Sequence, residues 1–169
     1  MSRIAAAPAA EDPSVRALEE RIRAARGEIN PLYAVLLNSP AVANGWEQML
    51  TAIRQKTEVP AHLRELVILR IAVLNRADYE FTSHLPYAQA AGVSEDKLAA
   101  VRRGDLAVFD DQEKLVLEYA EAMTRAIEVP DTLFARVTRG FDAKGVVELT
   151  ATVAAYNMVS RFLVALQIG

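Results

Sequence analysis

No stretch of the chain alternates apolar and polar residues as the strands of a hairpin would; signals for helix starts recur instead. Asp12-Pro13, Asn30-Pro31 and Ser39-Pro40 each put a side chain able to cap a helix in front of a proline suited to the first helical position. They predict helices over about 13–27, 31–38 and 40–56, with Gly27 ending the first and Gly45 a weak point in the third. Pro60 then opens AHLRELVILRIAVLNRA, whose run from Leu66 to Leu74 is apolar on nearly every side except at Arg70. Such a run is too long for a strand and marks a buried central helix. In DYEFTSHLPYAQAAG, Leu85, Ala88 and Ala91 keep helical spacing up to Gly92, and Pro86 is expected to bend or split the element. Ser94, followed by Glu95 and Asp96, caps a short helix to Arg103, and Asp110 with Glu113 forms a capping-box pattern before Leu115, Leu117, Tyr119 and Met123. Pro130 starts another short helix to Arg139, and Asp142 precedes a final apolar helix of about 24 residues. The expected fold class is all-α. Residues 1–11, rich in Ala and Pro, read as a flexible or loosely docked arm, and residues 12–169 as one helical domain, which suits a chain of 169 residues.

Arg70, Glu148 and Arg161 interrupt the two long apolar helices. Burying a charge is costly unless it is paired, so each is expected to face a partner, a subunit interface or a polar cavity, most simply as an ion pair between helices or subunits. Composition adds three points. A hydrophobic fraction of 52%, with 24% charged residues, exceeds what one compact domain buries and points to self-association. The net charge of −3, with Lys and Arg scattered among acids, gives no footprint for nucleic acid. The absence of cysteine removes disulfides, thiolate metal sites, Cys nucleophiles and CxxC redox chemistry together. Arg70 and Arg161 break the apolar runs below the roughly 20 residues of a membrane span, so none is expected. The opening MSRIAAAPAAEDPS lacks the apolar core of a secretory leader, and a cytoplasmic location is expected.

One segment carries candidate chemistry. Glu80 and His84 are four apart, so on a helix they share a face, and a carboxylate bonded to an imidazole fixes its tautomer and raises its basicity. Tyr79, Phe81, Leu85 and Tyr87 surround the pair with apolar and aromatic groups, which would shield it from water or serve equally as plain core. Taken alone, a pair of this spacing is more often an idle surface contact. Glu65, Glu80 and His84 would also make a two-carboxylate, one-imidazole metal set. With two histidines in the chain and no HExxH run, too few ligands remain, and no metal is expected.

The order of these residues resembles the carboxymuconolactone decarboxylase and alkylhydroperoxidase D-like family, whose thiol members carry a Glu in one helix and a CxxCxxxH motif at the start of the next. His84 matches the motif's His, Glu65 matches the upstream Glu, and the two cysteine positions fall on Ala77 and Glu80. Asn75-Arg76, the YEFTSH core and the late VELTATVAAYNMVSRFLVAL helix look like the non-thiol branch, in which a YEWxxH-type core is common. The resemblance covers roughly residues 30–167. It implies a small helical subunit assembled into trimers or hexamers, with a pocket between this helix pair near a subunit interface. It further implies decarboxylation of a carboxylated muconolactone without a metal or organic cofactor. Peroxide reduction by the thiol route is excluded by Ala77 and Glu80. Within that resemblance His84 is the expected proton donor, held by Glu80 or Glu65. Arg76, or failing it Arg70, is a candidate for binding a substrate carboxylate through its guanidinium, against the plainer reading of Arg76 as a solvated surface residue. Tyr79, Tyr33, Trp46, Tyr156 and Asn157 are candidate pocket residues that would equally well be core or interface, and His62 reads as a surface residue. The rival expectation is a non-catalytic oligomeric protein in which the same residues form a buried structural network.

Overall fold

The structure, a computed structural model, describes residues 2–169. Among them it contains nine helices and no strand, so the all-α expectation holds. They are α1 (Pro13–Arg26), α2 (Pro31–Leu36), α3 (Pro40–Gln55), α4 (Ala61–Leu74), α5 (Asp78–Ala90), α6 (Glu95–Arg103), α7 (Asp111–Arg125), α8 (Asp131–Gly140) and α9 (Ala143–Leu166). The caps explain most of these bounds. The Asp12 carboxylate accepts from the Ser14 N–H at 2.7 Å, and the Asn30 side chain accepts from the Tyr33 N–H at 3.1 Å. Asp110 and Glu113 form the reciprocal box, at 2.8 and 3.0 Å. Ser39 departs from the pattern, since its side chain caps nothing although Pro40 follows it. Pro86 does not split α5 into two. Its missing N–H frees the Thr82 carbonyl, and both residues lie on the exposed face, where water can take the bond.

Backbone contacts divide the chain into two units. The first comprises the residues up to Thr57 together with Ala165–Gly169. In it α1 and α2 pack on α3, burying Leu18, Ile22, Tyr33, Leu36, Ala43 and Leu50. Its leading segment is pinned by backbone bonds from the Arg3 N–H to the Leu166 carbonyl and from the Ala7 N–H to the Ala34 carbonyl, both 2.8 Å.

The second unit is Glu58–Val164, and α4 is its centre, packed against α5, α7 and α6. Leu63, Leu66, Val67, Ile68, Leu69 and Ile71 are fully buried, each contributing on the order of 1.5–3 kcal/mol of burial free energy. Leu66, Leu69 and Ala72 meet Phe81 and Ala88 of α5, Leu98 and Val101 of α6 and Leu117 of α7 in one cluster. Contrary to the sequence expectation, α9 is by length and composition apolar enough to cross a membrane. Half of that stretch is buried inside the fold, where Leu149, Val153, Tyr156, Val159 and Leu163 pack. Of the three charges inside apolar runs, two have partners. Arg70 pairs with Glu121, and Glu148 accepts from the Glu58 N–H at 2.7 Å. Arg161 sits on the exposed face of α9, where a charge needs no partner.

Candidate active site

The site is built by the reversal between α4 and α5. After Leu74 the Ala77 N–H bonds the Ala72 carbonyl at 2.8 Å and the Arg76 N–H bonds the Val73 carbonyl at 3.2 Å, a Schellman termination with Arg76 in the left-handed position at φ 58°. Asn75 secures this turn. Its Nδ2 donates to Asn157 Oδ1 at 2.9 Å and to Ser160 Oγ at 2.7 Å, and Asn157 Nδ2 in turn donates to Thr124 Oγ1 at 2.9 Å. The turn is thereby tied to α9 and α7, and the packed pair α4 and α5 brings Glu65 against His84.

Both nitrogens of the His84 ring are engaged. Nδ1 lies 2.7 Å from Glu65 Oε2, and Nε2 lies 3.3 Å from Glu80 Oε1. The i, i+4 partner read from the sequence is therefore the looser one, and the tighter bond comes from α4. His84 and Glu80 are each 5% exposed and Glu65 2%, so this carboxylate, imidazole and carboxylate row is shut off from water. Arg64 Nε approaches the other oxygen of Glu65 at 3.6 Å. The Tyr156 ring meets the imidazole edge-on, 5.3 Å between centroids and 88° between planes, and the half-exposed Tyr87 ring lies 5.7 Å away. Burial pushes the His84 pKa down, but hydrogen bonds and charge from Glu65 and Glu80 outweigh it, and the net shift is upward from the ordinary 6.5.

This arrangement favours the protonated imidazole over the free one and can release the proton to a partner brought to one ring nitrogen. It does not assemble the two-carboxylate, one-imidazole metal set, because the carboxylates take opposite edges of the ring and do not converge on one point.

The remaining sequence candidates are dispersed. Arg70 is buried, with its Nε and Nη2 on Glu121 and its Nη1 on the Val101 carbonyl at 3.2 Å. That leaves no free fork for a substrate carboxylate. Arg76 is exposed, Tyr79 and His62 are half-buried, and the side-chain amide of Asn157 is spent on Asn75, Thr124 and the Val153 carbonyl. Tyr33 and Trp46 are buried within the first unit, where burial raises the Tyr33 pKa above its ordinary 10. The polar net of Asn75, Ser160 and Thr124 was not foreseen. Its signal was present in the buried face of α9, where Thr152, Asn157 and Ser160 interrupt an otherwise apolar helix.

Comparison with known proteins bears on family and fold. The Carboxymuconolactone decarboxylase family profile matches residues 40–122. The uncharacterized protein YnjA of Escherichia coli (strain K12) is 34% identical over 118 residues, 68% of this chain, and the chain spans 64% of that relative's length. An uncharacterized peroxidase-related protein from Silicibacter sp. TM1040 superposes with a TM-score of 0.82 at 17% identity, over 99% of this chain and 91% of its own. An alkylhydroperoxidase AhpD core protein from Ralstonia eutropha JMP134 gives a TM-score of 0.82 at 16%, over 98% and 92%. The debrominase Bmp8 gives 0.81 at 14%, over 98% and 90%. At such identities the three structures share the fold alone. Helical fold, family profile and curated relative agree: residues 40–122 form a carboxymuconolactone decarboxylase family region, in a chain with an alkylhydroperoxidase D-like fold and no cysteine.

Proposed function

We propose that the protein is a cofactor-independent acid-base enzyme that decarboxylates or isomerises a small carboxylated lactone or related carboxylate. The observation that supports this is the buried imidazole held between two carboxylates, Glu65 at 2.7 Å and Glu80 at 3.3 Å. In decarboxylation the bond between the carboxylate carbon and the ring breaks, carbon dioxide leaves, and the electron pair moves into the lactone carbonyl as an enolate. His84 then delivers its proton to carbon and recovers one from solvent, so atoms and charge balance. Glu65 fixes the tautomer through Nδ1, which leaves Nε2, with its longer contact to Glu80, as the nitrogen that gives up the proton. Tyr87, 46% exposed beside the imidazole, marks the side from which a substrate would approach. His84→Gln should lower carbon dioxide release from carboxylated muconolactones by roughly 10²–10⁴-fold with the helical circular dichroism unchanged. Undiminished turnover in that variant would end the proposal.

A second reading has its own support: both ring nitrogens are occupied and all three residues are at most 5% exposed, as in a structural network. On that reading the protein is a non-catalytic member that binds or assembles. No lactone would then release carbon dioxide, and His84→Gln would act on melting temperature alone.

A further inference from the structure

The first turn of α4 holds a cation where helix electrostatics disfavours one. Arg64 lies there with its N–H on the Pro60 carbonyl at 3.0 Å, in a turn that has no acidic residue and no side-chain cap. A positive charge at that end opposes the helix dipole, so local structure gives no reason for Arg64. Its side chain is only 14% exposed, and its Nε is buried without a hydrogen bond to any described residue. Arg125 and Arg136, by contrast, close on carboxylates at 2.9 and 2.6 Å. Arg64 Nε stops 3.6 Å from Glu65 Oε1, too far to bond and near enough to act through charge.

The groups that face the His84 ring are Glu65, with Arg64 behind it, from α4, Glu80 and Tyr87 from α5, and Tyr156 from α9. Arg64 is the cation of this set. With both carboxylates ionised, a protonated imidazole and Arg64 make the row neutral, and loss of the proton leaves one negative charge. Without Arg64 the same two states carry one and two negative charges, and a buried site resists the second. The imidazole would then hold its proton harder and deliver it more slowly. We propose that Arg64 is a positioning residue that acts through Glu65: it draws on the outer oxygen of the carboxylate, keeps the inner one on Nδ1, and so sets how readily His84 releases its proton from Nε2. For its use in catalysis this rests on the acid-base reading above, whereas its effect on the imidazole needs no substrate.

Imidazole nitrogen shifts of the full chain, followed by NMR across pH, test that effect. Arg64→Gln should move the midpoint of the His84 titration upward by about one pH unit. Arg64→Met should do the same while keeping the aliphatic stem in place, and Arg64→Lys should stay near wild type because it keeps the charge. A residue that only packs on its neighbours would change melting temperature in all three variants and leave the midpoint alone. On carboxylated muconolactones, kcat of Arg64→Gln should fall by roughly three- to tenfold with KM within about twofold of wild type, and the alkaline limb of its pH profile should move upward with the midpoint. An unmoved or lowered midpoint in Arg64→Gln and Arg64→Met would overturn the proposal. So would a midpoint in Arg64→Lys displaced as far as in Arg64→Gln. A raised midpoint in a protein that releases carbon dioxide from no lactone would sustain the assignment of Arg64 and sink the enzymatic reading alone.

Discussion

Two buried charges on α4, five residues apart, are treated in opposite ways. Every guanidinium nitrogen of Arg70 has a partner. Glu121 takes its Nε and Nη2, the Val101 carbonyl takes Nη1, and a methyl group on Gly104 would come within 3.1 Å of the guanidinium. Glu65 and Glu80 instead share a single imidazole in a region at most 5% exposed, with Arg64 a more distant neighbour of Glu65 at 3.6 Å. Glu121 bridges Arg70 and Arg125 at the edge of the core, where its side chain is 37% exposed. A second carboxylate brought to the same buried ring costs desolvation and adds repulsion, and its specific effect is to keep a proton on the imidazole. That surplus is the reason for reading the Glu65, Glu80 and His84 row as chemistry and the Arg70 and Glu121 pair as architecture.

The sharpest way to break this contrast is to remove the centre of each cluster and measure two quantities. His84→Gln should lose roughly 10²–10⁴-fold in turnover with a modest change in stability. Arg70→Leu should do the reverse, losing about 1–3 kcal/mol in urea unfolding with turnover at the wild-type level, because the Val101 carbonyl loses its donor while Glu121, 37% exposed, keeps Arg125 at 2.9 Å. A loss of turnover without destabilisation in Arg70→Leu would dissolve the distinction and return Arg70 to the list of substrate-binding groups.

The sequence shows unevenly which cluster is which. The helices were legible because their signals are local: Asp12, Asn30 and Asp110 cap through their own side chains, and Gly27 ends α1 at φ 85°. Glu80 and His84 were legible as neighbours for the same reason, being one helical turn apart. The preference of His84 for Glu65 was not, because a separation of 19 residues leaves distance and angle to the packing of α4 on α5. Arg70 looked equally chemical in the sequence, since nothing local announces that Glu121, 51 residues on, will claim it. Ser39 failed as a cap and Pro86 failed as a break for related reasons. A capping residue type supplies the opportunity for a bond and not its geometry, and a proline is tolerated where the freed carbonyl faces water.

A smaller effect follows from the proton itself. The His84 pKa is higher in the folded chain than the 6.5 of an unperturbed imidazole, so the native state binds the proton more tightly than the unfolded state does. The stability from this linkage is fully present below about pH 6.5 and is lost as pH rises through the folded value, because ν_N exceeds ν_U in that window. Melting temperature should therefore decline from about pH 6.5 upward in wild type, and His84→Gln should flatten that part of the profile. Arg70→Leu should lower the whole curve without changing its slope there. A wild-type profile that rises across the same window would mean that the carboxylates do not outweigh burial at His84.

The finest distinction lies between the two carboxylates. Glu65 is the closer partner at 2.7 Å against 3.3 Å, and it reaches His84 from another helix, whereas Glu80 reaches along its own. Removing either negative charge should lower the His84 pKa, and Glu65→Gln should lower it further than Glu80→Gln, because a short charge-assisted bond favours the protonated ring more than a long one. Imidazole nitrogen shifts followed by NMR across pH would read this directly, with half-buried His62 as a second signal to assign. The ordering also bears on catalysis. If Nε2 is the nitrogen that gives up the proton, Glu80→Gln should alter substrate affinity more than the chemical step, while Glu65→Gln should slow the step by disturbing the tautomer. Equal effects of the two variants on both the titration and the kinetics would show a symmetric row, in which neither nitrogen is singled out to deliver the proton.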